Sequence, residues 1–571
     1  MKKTLSLLVS ISMLTPVCMW SQQRYDVVIH EFMADPSPAI GLPASEWIEL
    51  KNNSNTVINL QQWRLADATG QSNTLPAFLL QPDSLVIVCT GSAAAALSAF
   101  GSTIAVSNFP SLDNDGDILS LKAPNGMTIH ALHYNTGWYR NEVKKEGGWS
   151  LEMMDSRQPC AGSSNWRASQ HPTGGTPGSK NSTDTLLADN TGPQLLRSYT
   201  TDSSTLVLLF DEPLDSISGA TTSHYQLDNG IQVIQAVTVP PLFTQVQLKL
   251  QTHLQWNTVY QLQVNNTRDC KGNAIRSNST VKAGRAGDAQ WSDLVINELL
   301  FNPRSGAEDY IECFNRSHKV LDLADLSLAN RNSSRVISNI KAISSTPFFI
   351  FPGEYVVFSV NPAQLALDYF VQSPDRVISM ATLPSLPDEE GYALLLNAAG
   401  VIVDEVPYSE KWHFKLIDNP EGVALERINP DGLSPDPGNW HSAASTAGYG
   451  TPGYRNSQYM AVDPVPATIT VQPAVFSPDN DGRDDVAIIQ YAVTAPGYIA
   501  NLVIYDAFGR PVRYLVRNGL MGLNGQWTWD GLDEKKNKLP VGRYIVFTEI
   551  FNLEGKKKLF KNVLVLARAL H

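Results

Sequence analysis

Apolar residues in this chain gather into short runs fenced by Gly, Pro, Asn and Asp. Leu85-Val86-Ile87-Val88-Cys89, Ile118-Leu119-Ser120-Leu121 and Leu206-Val207-Leu208-Leu209-Phe210 are of this kind. Residues 246–250 and 260–264 alternate apolar and polar positions instead. Successive side chains of a strand point to opposite faces, so continuous runs predict strands buried on both faces and alternating runs half-buried strands. Residues 502–505 and 510–515 read as strands joined by an Asp506-Ala507-Phe508-Gly509 turn. Residues 543–551 and 559–567 read as a hairpin around Glu554-Gly555. In the first part of the chain, helical character is brief, over residues 93–100. The expected fold class is all-β, a string of four immunoglobulin-like β-sandwich domains.

One long block of this pattern occurs twice. Ile29-His30-Glu31 and Glu46-Trp47-Ile48-Glu49-Leu50 return as Ile296-Asn297-Glu298 and Asp309-Tyr310-Ile311-Glu312-Cys313. Ser150-Leu151-Glu152, Asn165-Trp166 and Gly175-Thr176-Pro177-Gly178 return as Ala424-Leu425-Glu426, Asn439-Trp440 and Gly450-Thr451-Pro452-Gly453. A block of this length is a duplicated domain, since solenoid repeats run to roughly 20–50 residues. The expected organisation is a leader over residues 1–21, a first repeat over 22–182, an Ig-like unit over 188–284, a second repeat over 290–458 and a last unit over 466–571.

Composition supports packed cores: 43% of residues are hydrophobic and 17% charged. The net charge of −12 lacks the cation density that a phosphate backbone demands, which excludes nucleic acid as the main partner. Lys535-Lys536 with Lys538, and Lys556-Lys557-Lys558, read as solvated hairpin tips. Lys2-Lys3 followed by an apolar stretch to Val17 has the form of an export signal. No later stretch has the ~18 apolar residues of a membrane-spanning helix. The expected location is extracellular or the outer surface of a Gram-negative cell, with periplasm in transit. Cys89, Cys160, Cys270 and Cys313 are too few for a disulfide scaffold. Cys89 and Cys160 share a repeat and are the pair considered, although a buried thiol is the simpler reading of Cys89.

The repeat resembles the bacterial lamin-tail domain family, through its Ile-x-Glu opening, Glu-Trp-Ile-Glu-Leu strand, Leu60…Trp63-Arg64-Leu65, Gly147 to Glu152, Asn-Trp and Gly-Thr-Pro-Gly. That resemblance implies an Ig-like sandwich used for interaction or tethering, with no catalytic residues to carry over. The middle unit, with 207–210, Asp211-Glu212-Pro213-Leu214-Asp215 and Asp269…Gly272-Asn273, looks like bacterial Ig-like surface domains. The last unit carries Phe476-Ser477-Pro478-Asp479-Asn480-Asp481-Gly482, Trp529-Asp530-Gly531 and Leu539-Pro540-Val541-Gly542. It resembles the type B C-terminal sorting domain of type IX secretion and the Ig-like domain of flagellar hook-capping proteins. This implies secretion or outer-membrane machinery as a partner.

Asp479, Asp481 and Asp485 with Gly482 have the alternating oxygen spacing that wraps calcium. Laid on a calcium loop, the twelfth position falls on Ile488, so the terminal carboxylate is missing, and an Asx turn uses the same residues. Asp113-Asn114-Asp115-Gly116-Asp117 loses its carboxylate spacing in the second repeat, as a turn would. Glu31, Glu46, Glu49, Glu298 and Glu312 are candidates for paired catalytic carboxylates, but their strand-like settings read as structural positions at strand edges. Glu46 and Glu49 fall on opposite faces. His130 and His133 also fall on opposite faces, with Val403 and Val406 as counterparts by register, and read as filling. Trp527 and Trp529 share a face, suited to sugar stacking or, more simply, to the core. No Gly-x-Ser-x-Gly elbow, phosphate loop or Cys-x-x-Cys is present. The expected function is therefore non-enzymatic adhesion, tethering or scaffolding, without a cofactor unless calcium, toward a protein or glycan ligand. A part of the secretion or gliding machinery, and a secreted hydrolase with an unrecognised site, are the alternatives.

Overall fold

The computed structural model describes residues 22–460, 467–553 and 556–568. The leader, part of the linker before the last unit and the Glu554-Gly555 turn lie outside the described residues. The chain divides into two compact units: residues 22–252 with Gln261–Val281, and His253–Tyr260 with Lys282 onward.

In the first unit, residues 22–182 build a sandwich around a six-stranded sheet. Its order is Trp166–Ala168, Leu151–Met153, Val27–Met33, Trp47–Asn52, Leu85–Cys89, Thr103–Ala105. Facing it is a three-stranded sheet of Arg64–Ala66, Gly116–Lys122 and Thr128–Asn135. Phe32, Trp63, Leu119, Tyr134 and Trp166 fill the space between and are buried. Val27–Met33 is buried at every position, which is why it reads as a continuous apolar run broken only by His30 and Glu31. Residues 93–100 supply one short helix, Ala94–Leu97. The rest of this unit is an Ig-like pair of sheets. One runs Leu195–Asp202, Thr205–Phe210, Gln245–Leu250, Val233–Thr238, and the other contains Tyr225–Leu227 with residues 261–264 and 279–281.

In the second unit, residues 290–458 repeat the six-stranded order. It is Trp440–Ser442, Leu425–Arg427, Leu294–Leu300, Tyr310–Asn315, Tyr355–Ser359, Val377–Ser379. The opposing sheet gains an edge strand, Ile337–Ala342, beside Leu326–Arg331, Glu390–Asn397 and Ile402–Ser409. The last domain sets a three-stranded sheet against a five-stranded one, with Phe476, Trp529 and Tyr544 between them. Trp529 is fully buried and Trp527 stacks on Tyr491 at 4.4 Å, so the shared face of the two tryptophans is a core face.

Both units are therefore all-β, as the alternation and short runs predict. The cysteine pairing is corrected. Cys160 bonds Cys270, fastening the first block to the Ig-like domain behind it, while Cys89 and Cys313 are buried thiols. Cys160 and Cys270 are 110 residues apart, and only the fold brings their turns together.

Candidate functional site

The glutamates of the repeated motif do not sit at strand edges. Glu31, Glu49 and Glu152 occupy three adjacent interior strands, with Glu31 directly opposite both of the others. Glu298 stands in the same way between Glu312 and Glu426. A bulge falls between Ile29 and Glu31 in one block and between Ile296 and Glu298 in the other. It inserts an extra residue and re-aims the side chain that follows. All six carboxyls are 0% exposed. Like charges placed directly opposite on neighbouring strands repel, and a buried carboxylate is tolerated only with hydrogen bonds. Glu46, by contrast, is half-buried and separate, accepting from the Leu112 amide.

What these groups hold is the end of each block. Glu31 accepts from the Thr176 amide at 2.7 Å and the Ser150 hydroxyl at 2.6 Å. Glu49 accepts from the Gly178 amide at 2.5 Å. Glu152 accepts from the Thr183 amide at 2.8 Å and the Ser182 hydroxyl at 2.9 Å. In the second block Glu298 takes the Thr451 amide, Glu312 the Gly453 amide and Glu426 the Gln458 amide, at 2.8, 2.6 and 2.7 Å. The strap Gly-Thr-Pro-Gly thus gives its amides to two carboxyls and the segment just after it gives one to the third, pairing groups that a buried irregular segment must otherwise leave unpaired. Asn181 and Asn456 finish the strap by donating to backbone carbonyls of the strands beneath. Gly175 has no room for a side chain: a Cβ there lies 3.0 Å from Glu31 Oε1 and 2.9 Å from Ser150 Oγ.

Electrostatics follow from the burial. Desolvation, then Glu49 and Glu152, push Glu31 well above the usual carboxylate range. Glu49 and Glu298 are each pushed up to about 8, by desolvation first. His30, bonded to Glu49 at 3.0 Å, is pushed down to about 4 by burial, so this contact joins a neutral imidazole rather than an ion pair. Asn297 takes the same place and gives Glu312 an amide N–H at 2.8 Å.

His130 is not filling, and its counterpart is not Val403. Its Nδ1 accepts from the Ile29 amide at 2.9 Å, and in the second block Asp404 Oδ2 accepts from the Ile296 amide at 2.7 Å. Asp404 is paired with Arg427 at 3.0 Å, and Arg427 also donates to Ser434 and to the Ile296 carbonyl. His133 is exposed, on the other face, as the alternation requires.

Among the described residues, two acidic clusters have oxygens within 4.8 Å of one another. Asp479, Asp481 and Asp485 are brought together, as the spacing suggests, and accept the amides of Asn480, Asp481, Gly482 and Arg483. Asp479 and Asp481 each close an Asx turn and Asp485 gathers the amides of Asn480 and Gly482, and the remaining lone pairs are open to a hard cation. Asp189, Glu212 and Asp269 form the other, which the sequence does not reveal because its members are far apart. Desolvation, then Asp269, Asp211 and Asp189, push Glu212 up to about 8. Asp269 is committed to its own turn, accepting from Lys271 and Asn273.

No helix among the described residues is long and apolar enough to cross a membrane. No curated protein matches the chain. Among solved structures, the N-terminal part of the bacterial S-layer protein SbsC is 12% identical with a TM-score of 0.16, over 29% of this chain and 39% of that one. A DUF4876 family protein from Bacteroides thetaiotaomicron is 11% identical, TM-score 0.17, over 41% of this chain and 87% of that one. Dimeric latent PorU from Porphyromonas gingivalis is 9% identical, TM-score 0.14, over 79% and 40%. Likenesses this distant carry no argument about function. Residues 21–136, which include Glu31 and Glu49, match the family model of the Lamin Tail Domain.

Proposed function

We propose that this is an exported, non-enzymatic surface protein whose sandwiches present loops and sheet edges for adhesion, tethering or scaffolding. In this reading, residues 290–458 are a second lamin-tail module, residues 188–284 a spacer, and residues 466–571 a sorting or anchoring domain that engages the secretion machinery. The observation that carries it is the repeated carboxyl triad. The chemistry this chain keeps in duplicate is buried and spent on its own backbone amides, whereas paired catalytic carboxyls need a cleft open to substrate. The second unit also gives the last domain a firm seat. Phe414 packs with Ile499 and Leu520, and the Thr446 and Tyr491 hydroxyls meet at 2.5 Å. Deletion of 466–571 tests the sorting role, read by surface proteolysis and fractionation of the native host. The truncated chain is expected to fold and accumulate inside the cell, and its normal display on the surface would overturn the assignment.

A further inference from the structure

In each block one threonine hydroxyl lies between two buried carboxyls. Thr176 Oγ1 is 3.0 Å from Glu31 Oε2 and 3.0 Å from Glu152 Oε1. Thr451 Oγ1 is 2.8 Å from Glu298 Oε2 and 2.9 Å from Glu426 Oε1. A hydroxyl has one proton to give, and an ionised carboxylate only accepts. Both contacts are hydrogen bonds only if one carboxyl of the pair carries a proton and donates it to the threonine oxygen. The other donors decide which. Glu152 also receives the Ser182 hydroxyl and the Thr183 amide, and Glu426 the Ser457 hydroxyl and the Gln458 amide, so these two are the acceptors. On Glu31 and Glu298 the outside donors all fall on Oε1, leaving Oε2 to face the threonine alone among the described residues.

We propose that Glu31 and Glu298 hold a proton at neutral pH on Oε2, and that this proton locks the Gly-Thr-Pro-Gly strap of each block. The proton on Glu31 Oε2 is donated to Thr176 Oγ1, whose own proton is donated to Glu152 Oε1; Glu298, Thr451 and Glu426 repeat the relay. The charged and titratable groups facing Glu31 are Glu49 and Glu152, with Lys51 facing Glu49, Lys144 facing Glu152 and neutral His30 beside them. Facing Glu298 are Glu312, Glu426 and Tyr310, with Tyr369 and Tyr454 behind. Loss of the proton puts two carboxylates side by side and removes the threonine bridge.

The lock bears on the domain joint. Ser457, which donates to Glu426, offers its carbonyl to the Leu523 amide at 2.8 Å, and Gln458 donates to the Met521 carbonyl at 3.2 Å. Releasing the second strap therefore frees the seat of the last domain. Because the folded state holds the proton more tightly than the unfolded chain, stability is full below the ordinary glutamate range near 4.5 and falls as pH rises toward about 8.

The test is infrared spectroscopy of the full chain with carbon-13 glutamate, followed by the variants E31Q, E298Q, E152Q and E426Q. A protonated, non-exchanging carboxyl band is expected at neutral pH, reduced in E31Q and in E298Q. Glutamine supplies the same N–H in place of the acid O–H, so E31Q and E298Q should keep the urea midpoint at pH 7 and flatten its dependence between pH 5 and 8. E152Q and E426Q, which turn an amide toward two donors, should lower the midpoint. Absence of the band in the wild-type chain overturns the proposal whatever the variants do. So does equal destabilisation by E31Q and E152Q.

Discussion

The two blocks share one sheet order and one set of carboxyls but support them with different neighbours, and the differences are paired. Ser150 gives Glu31 its hydroxyl in the first block; the second has Ala424 there, and Tyr310, standing where the first has Trp47, donates to Glu298 at 2.7 Å instead. Trp47 Nε1 correspondingly has no partner among the described residues. The second exchange involves three positions. His130, Met153 and Cys160 of the first block stand where Asp404, Arg427 and Ser434 form a buried ion pair and its cap. Each solution hooks the same backbone amide, one with a neutral imidazole and the other with a charge pair. Where the second block has the Ser434 cap, the first has Cys160, bonded to Cys270. In these two exchanges a group changes together with the partner that its chemistry requires, while the carboxyls and the strap they hold stay the same.

The largest effect expected from breaking this comparison is at the ion pair. D404A leaves Arg427 buried without its partner, which costs about 3–5 kcal/mol. H130A removes a neutral acceptor and costs about 1–3 kcal/mol. Chemical unfolding of the full chain, with the transition of each block followed by hydrogen exchange, separates the two. The triple change D404H, R427M and S434C should recover most of the D404A loss, because it installs the first block's solution whole. Equal losses for D404A and H130A would mean that the hook, and not the charge, sets the cost.

A smaller and sharper effect belongs to the hydroxyl exchange. Y310W alone removes the donor to Glu298 and is expected to cost about 1–3 kcal/mol. A424S supplies a hydroxyl from the adjoining strand, so the double variant should recover part of it. The coupling between neighbours in one network is about 0.5–3 kcal/mol. Additive behaviour of Y310W and A424S in a double-mutant cycle would break the claimed equivalence of Ser150 and Tyr310.

Much of this was legible in the sequence. The continuous runs at 85–89 and 206–210 are strands, and the motifs Ile-x-Glu, Glu-Leu, Leu-Glu and Gly-Thr-Pro-Gly are the parts of the latch. Their convergence was not legible, because Glu152 reaches Glu31 through pairing of strands more than a hundred residues apart. The bulge before Glu31 also shifts which face its side chain takes. The counterpart of His130 is hidden in the sequence for a related reason. A register error of one residue turns every side chain of a strand to the other face, and it exchanges Asp404 for Val403. The fastening of Cys160 to Cys270 joins two turns in different domains, and no spacing within either domain announces it.

The central claim is that the duplicated carboxyls hold the strap of each block to the sheet beneath it. Native-state hydrogen exchange at six amides tests it most directly: Thr176, Gly178 and Thr183 in the first block and Thr451, Gly453 and Gln458 in the second. These are loop amides whose acceptors are buried glutamates, and slow exchange, comparable to that of the strands carrying Glu31 and Glu298, is the expected result. Exchange as fast as that of the exposed turns, in wild-type protein at pH 5 to 6, would contradict it.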